Sequence, residues 1–243
     1  MNAKFLLALS LLAAAPLAAA DSSVSNQVQS ALSKLAAAKN YSWTTTFAMP
    51  GSPFEPGPLK GSTEKGGCTT LNQDMGGNST DAVMLGDKIV LNQDGQWMSP
   101  SELDGFPAMI ARSWVRTGAA ATEAQNLLTK TKDLKAGEGD VLASDLTEAG
   151  AKSLLMFGRR EGEDGPPPPK NAKGSVKFWL KDGALQKFES HIQGLITFGP
   201  DQEERDFDMT RTTVIQDVGT AKLDVPAAAK AKLEGKPAEA AKP

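Results

Sequence analysis

The chain has 243 residues, with 26 lysines and arginines against 29 aspartates and glutamates, a formal net charge of −3. That mild acidity excludes a broad basic surface for nucleic acid and argues against general attraction to an anionic membrane. A single cysteine, Cys68, excludes an intramolecular disulfide, and a single histidine, His191, excludes a multi-histidine metal cluster.

Residues 1–20 carry the features of a secretion signal. Lys4 supplies the positive start, an apolar run follows, and Ala18-Ala19-Ala20 offers the small residues a signal peptidase requires. Cleavage after Ala20 would start the mature chain at Asp21, place it in the periplasm or outside the cell, and leave no membrane span. A helix capped by Ser22 or Ser23 is expected to run to about Lys39, with Val24, Val28, Ala31, Leu32 and Leu35 on one side.

A strand follows at once. Tyr41, Trp43, Thr45, Phe47 and Met49 alternate with small polar residues, which puts the aromatics on one face. Repeated prolines end it. Residues 61–81 are polar and glycine-rich and give only weak strand signals. Short strands are expected at 82–85, 88–92 and 96–98, joined by Gly86-Asp87 and Asp94-Gly95 turns.

Residues 99–157 change to helical spacing. Asp104 is placed to cap a helix in which Phe106, Met109, Ile110, Ser113 and Trp114 share one side, with Gly118 ending it. Thr122 and Gln125 form a capping-box pattern for a second helix that would bury Ala124, Leu127 and Leu128. After a strand at 141–144, Thr147 would cap a third helix. Residues 159–172, with prolines at 166–169, are expected as an exposed excursion within one domain spanning 21–226.

The closing stretch, 174–226, shows the clearest architecture. Val176, Phe178 and Leu180 alternate with Lys177, Trp179 and Lys181, and Asp182-Gly183 signals a hairpin turn. Gln186, Phe188, Ser190 and Ile192 are then expected on one face, opposite Lys187, Glu189, His191 and Gln193. A third strand is expected at 207–218 and a short fourth at 220–225. Residues 227–243, rich in Ala, Lys and Pro, form an expected disordered tail with at most a helical turn or two.

The phrase VKFWLKDGALQKFE, followed by a strand and then TVIQDVGTAKLDVP, resembles the C-terminal half of the bacterial lipoprotein-carrier (LolA-like) superfamily. The residues that carry the likeness are Trp179, Asp182, Gly183, Gly219, Val225 and Pro226. The resemblance implies an α+β fold: a curved antiparallel half-barrel sheet covered on its concave side by α-helices, with an apolar cavity between them. It implies a lipid or acyl chain as ligand and neither cofactor, metal nor catalytic residue. The long helical segment and the proline-rich excursion depart from the family pattern.

Candidates for lining such a cavity are Trp43, Phe47, Met109, Trp114, Phe178, Phe188, Ile192 and Phe207. The competing reading is that they fill a dry core, for which their burial would suffice at roughly 1.5–3 kcal/mol each. In that case the fold would serve an envelope protein partner through a sheet edge or the proline run. Other motifs carry little. Ser62-Thr63-Glu64-Lys65 fits S-x-x-K without the rest of its constellation. His191 is expected as a solvent-facing strand histidine. Asp201, Glu203, Glu204, Asp206 and Asp208 crowd one hairpin end without the spacing of a calcium loop. Cys68 is read as a thiol without a role.

Overall fold

A computed structural model describes residues 18–52, 56–156, 167–198 and 203–235. Most of the secretion-signal stretch (1–17), most of the proline-rich excursion (157–166), Asp201 and the end of the tail (236–243) lie outside the described residues.

Among the described residues, eleven strands form one antiparallel sheet. In chain order they are β1 (Asn40–Ala48), β2 (Leu59–Glu64), β3 (Thr69–Asp74), β4 (Ser79–Leu85), β5 (Lys88–Gln93), β6 (Gln96–Met98), β7 (Lys135–Ala136), β8 (Val141–Asp145), β9 (Lys170–Lys181), β10 (Ala184–Phe198) and β11 (Glu203–Gln216). Their spatial order is β6-β5-β4-β3-β2-β1-β11-β10-β9-β8-β7. The sheet does not close on itself, and its two edges are the shortest strands, which limits edge-to-edge pairing. β8 pairs with β9 across the proline-rich stretch, and β1 pairs with β11 across nearly the whole chain.

Among the described residues, five helices accompany the sheet: α1 (Ala18–Ala37), α2 (Gly105–Thr117), α3 (Ala120–Leu128), α4 (Glu148–Leu155) and α5 (Ala227–Leu233). The first four cover one face. Val28, Leu32 and Leu35 of α1, Ala108, Ala111 and Trp114 of α2, Ala124 and Leu127 of α3 and Leu155 of α4 share one apolar cluster with the inward residues of the strands. This is the expected architecture, an open antiparallel half-barrel sheet with helices across its inner side.

Register explains why that side is continuous. One row of direct cross-strand neighbours runs Leu142, Phe178, Phe188, Thr213, Thr45, Leu59, Gln73. A second runs Ile215, Trp43, Gly61, Leu71, Ala82, Leu91, Met98. Side chains in such a row stand on the same face, so apolar residues chosen at period two add up to a platform.

Several expectations are corrected. α1 begins at Ala18, so Ser22 and Ser23 lie within it. Residues 59–85 form β2, β3 and β4; on the inward side of β2 and β3, Gly61, Thr69 and Gln73 interrupt Leu59 and Leu71, which weakens the apolar alternation. Gln186 is exposed, because a bulge between Leu185 and Lys187 turns Leu185 inward instead. The excursion ends earlier than expected: residues 170–172 belong to β9, where a second irregularity holds Asn171 at φ 52°. Residues 220–225 form no strand. Residues 227–233 form the helical turn or two allowed for at the start of the tail, but not as a loose end: Ala229 and Leu233 of α5 pack on the opposite face of the sheet against Val83, Val90 and Cys68.

Candidate functional site: the roofed apolar face and its open cleft

The inner face gathers seven of the eight residues proposed from sequence. Trp43, Trp114, Phe178, Phe188, Ile192 and Phe207 are buried in the main cluster, and Phe47 packs half-buried against it. Met109 is not among them. It is 47% exposed and Phe106 is 49% exposed, on the outward side of α2. The helix is amphipathic, but it turns Ala108, Ala111 and Trp114 inward, so the expected inward stripe is corrected at Phe106 and Met109.

The part of the roof formed by α2 and α3 is built largely of small side chains, whereas α1 and α4 are the helices that pack on β9 and β10. Ala108 and Ala111 of α2 and Ala120, Ala121 and Ala124 of α3 are all buried, with Trp114 and Leu127 as the larger anchors. At about 0.8 kcal/mol per buried methyl-sized group, the five alanines contribute on the order of 4 kcal/mol together.

Polar groups tie the roof to the sheet at set points. The Tyr41 hydroxyl accepts the Ala121 N–H at 3.1 Å, which satisfies one of the unpaired donors in the first turn of α3. Burial pushes the Tyr41 phenol above its ordinary pKa. This strand tyrosine replaces the expected capping box: the residue before α3 is Ala119, no side chain caps it from within the helix, and Gln125 instead exchanges amide hydrogen bonds with Gln29 of α1. Thr147 does cap α4, accepting the Gly150 N–H at 3.0 Å.

Arg211 of β11 reaches Glu123 of α3 within the roofed space. Its Nη2 donates to Oε2 at 3.1 Å, and its Nε lies 2.9 Å from Oε1 without an aligned hydrogen bond. The guanidinium also stands 5.4 Å from the Phe47 ring centre. Burial pushes the Glu123 carboxyl above its ordinary pKa, against the pull of Arg211. Deeper still, the Thr45 and Thr213 hydroxyls pair at 2.8 Å with both residues fully buried.

An open cleft of about 680 Å³ lies between α1 and the β7–β8 and β9–β10 segments. Asn26, Gln27, Ser30 and Lys34 line one side, Asp140 and Asp182 the other, and Leu142 and Leu180 give it apolar wall. Leu142 is the direct neighbour of Phe178, and Phe178 of Phe188, so the apolar wall of the cleft is the end of a row whose aromatic members lie buried behind it. Two further clefts, about 660 and 420 Å³, involve outer-face residues of the sheet. None of the three is lined by any of the eight residues proposed from sequence.

The first of those outer clefts includes His191. The histidine is half-exposed and its Nε2 lies 2.9 Å from Asp208 Oδ1, while Gln193 donates to Asp208 Oδ2 at 2.6 Å. Those hydrogen bonds, Gln193 first and then His191, hold the Asp208 carboxyl below the usual range. Ser175 is the cross-strand partner of His191, but no side-chain hydrogen bond joins them among the described residues. The acidic hairpin end is partly neutralised, Glu204 by Lys170 and Glu203 by Arg205. Cys68 is buried under α5, and burial raises its thiol pKa.

No family model matches the chain, and no curated protein matches it in sequence. Solved structures do resemble it in backbone path. Lipoprotein LppX of Mycobacterium tuberculosis aligns over 85% of this chain and 100% of its own, with 8% identity and a TM-score of 0.47. LprF of Mycobacterium bovis covers 85% and 97% with 13% identity and a TM-score of 0.44, and a LolA superfamily protein of Nitrosomonas europaea covers 81% and 94% with 12% identity and a TM-score of 0.34. The likeness is one of fold. It carries nothing about ligands, which rest on the residues of this chain.

Proposed function

We propose that the protein is a non-enzymatic carrier of the cell envelope that takes a lipid or other apolar chain between its sheet and its helical roof. The observation that carries this reading is the row Leu142–Phe178–Phe188, which leads from an open cleft to a roofed aromatic face. The cleft is within the size range of small-ligand sites. The filled interior is then the empty, closed state. Entry of a chain through the cleft beside α1 parts that helix, which packs on β10, from the Phe178–Phe188 row. No metal or cofactor takes part, and the affinity is hydrophobic.

The filled interior also favours a second reading, in which the same fold is an interaction module for an envelope protein. Its sheet edges, β6 and β7, are too short to accept an added strand of useful length. Native mass spectrometry of protein purified from membranes separates the two readings. A carrier retains an apolar adduct that Phe178→Asp abolishes. Adduct-free protein that takes up no fatty acid when folded supports the interaction module instead.

A further inference from the structure

The outer face of the sheet carries its own cleft of about 420 Å³, bounded by the segment that leads from β11 to α5 through Asp224 and Pro226. Register makes its floor polar. Lys60 pairs with Asn72, Asn72 with Asp81, and Asn92 with Trp97. Ala82 pairs with Leu91, and Asp81 and Asn92 continue that register one step on. The run Lys60, Asn72, Asp81, Asn92, Trp97 therefore crosses β2 to β6, about 19 Å at the usual strand spacing. Ser62 and Thr70 add hydroxyls beside it. Asn72 Nδ2 donates to Ser79 Oγ at 2.8 Å and to Asp81 Oδ1 at 2.7 Å, which leaves the amide oxygen to accept. Asn92 Oδ1 accepts the Gly95 N–H at 2.8 Å, which leaves its NH2 group to donate. Trp97 is half-buried, packed against the Val83–Val90 cluster while it lines the cleft. Trp179, another half-buried tryptophan of the outer face, differs, because the Lys187 ammonium stands 3.6 Å from its ring centre.

An indole beside a row of amide, hydroxyl and carboxylate groups suits a ligand with an apolar ring face and hydroxyls around its edge. A sugar ring has that shape: its C–H face packs on an aromatic ring, and its hydroxyls both donate to carboxylates and accept from amides. Charge disfavours a phosphate or nucleotide, because Asp81 and Asp224 outweigh Lys60 among the lining residues. No group of three or more acidic, histidine or cysteine side chains suited to a metal ion occurs among the described residues. We propose that this cleft binds a short neutral oligosaccharide, with one ring on Trp97 and hydroxyls held by Asp81, Asn72 and Asn92. The site lies on the face opposite the helical roof. It needs no interior ligand and so stands apart from the carrier reading. An open cleft with one aromatic platform gives weak, reversible binding.

Saturation-transfer NMR of the folded protein with maltotriose, mannotriose and tri-N-acetylchitotriose tests it. At least one trisaccharide is expected to bind in the millimolar range, with little change on adding salt, as an uncharged ligand requires. Trp97→Ala is expected to abolish the signal and Trp97→Phe to keep part of it. Asp81→Asn is expected to weaken binding about tenfold. Asn92→Asp keeps the acceptor for Gly95 but removes the NH2 donor, and is expected to weaken binding about fivefold. Trp179→Phe serves as the control and is expected to leave it unchanged. Urea unfolding of each variant shows whether the fold is intact. Flotation with vesicles carrying digalactosyldiacylglycerol distinguishes the sources: flotation that Trp97→Ala removes makes the saccharide a glycolipid headgroup, and trisaccharide binding without flotation makes it a free glycan. Binding of none of these sugars at millimolar concentration overturns the proposal. So does binding that Trp97→Ala leaves intact, or uptake of choline in place of every sugar, which would assign the carboxylates and indole to an organic cation.

Discussion

Gly61 meets the Trp43 ring so closely that a methyl group added there would lie well inside van der Waals contact with the indole. Gly61→Ala is therefore expected to destabilise the protein by about 1–3 kcal/mol, read from the urea midpoint. The Tyr41 hydroxyl offers a second test: Tyr41→Phe leaves the Ala121 N–H without its acceptor and should cost about 1–3 kcal/mol. At the Glu123–Arg211 pair the sign of the pH dependence is informative. Burial raises the folded pKa of Glu123 above its unfolded value, so the folded state holds a proton that the unfolded state has released. Stability contributed by this group is full below the ordinary carboxylate range and is lost as pH rises through the raised value. Glu123→Gln lacks that loss, so its stability relative to the wild type should improve as pH rises through this window in denaturant titrations. A relative gain by the wild type would mean that attraction to Arg211 outweighs desolvation. Removing only the carboxylate partner with Glu123→Leu should cost about 3–5 kcal/mol, whereas Glu123→Leu with Arg211→Met should be neutral or stabilising by about 1–4 kcal/mol.

At the scale of elements, α2 and α5 carry the sharpest expectations. Ala111 is fully buried beneath α2, so Ala111→Leu wedges the roof upward. Hydrogen exchange should rise in α2 and α3 while β9–β11 remain protected. Cys68 sits under α5, so thiol labelling should be slow in the intact protein and fast after deletion of residues 227–243. The same elements show what the chain's pattern reveals and what it hides. β1, β9 and β10 alternate strongly enough to be placed with their faces, and Thr147 marks the start of α4 correctly. α2 was legible as a helix but only partly in its facing: Trp114 turns inward as expected, while Ala108 and Ala111 take the inward places that the pattern gave to Phe106 and Met109. Tertiary packing chose the smaller set. β2 and β3 were hidden because Gly61, Thr69 and Gln73 stand among Leu59 and Leu71 on their inward side and break the apolar alternation. The Arg211–Glu123 contact joins residues 88 apart and has no local signature at all.

For the molecule as a whole, the sheet's order puts β1 between β2 and β11, so the long C-terminal strands complete the platform that the N-terminal half begins. Both rows of inward neighbours cross that junction, and neither half presents the full aromatic face alone. The carrier reading depends on that face becoming accessible beneath its helical roof. The most direct measurement is titration of the folded protein with a fluorescent fatty acid, following emission sensitised by Trp43 and Trp114. The account predicts saturable sensitised emission that falls when Trp43 is replaced by Phe and disappears with Phe178→Asp, provided that variant still unfolds cooperatively. Emission that never rises above that of the free probe, from a protein whose unfolding shows it to be intact, would contradict it.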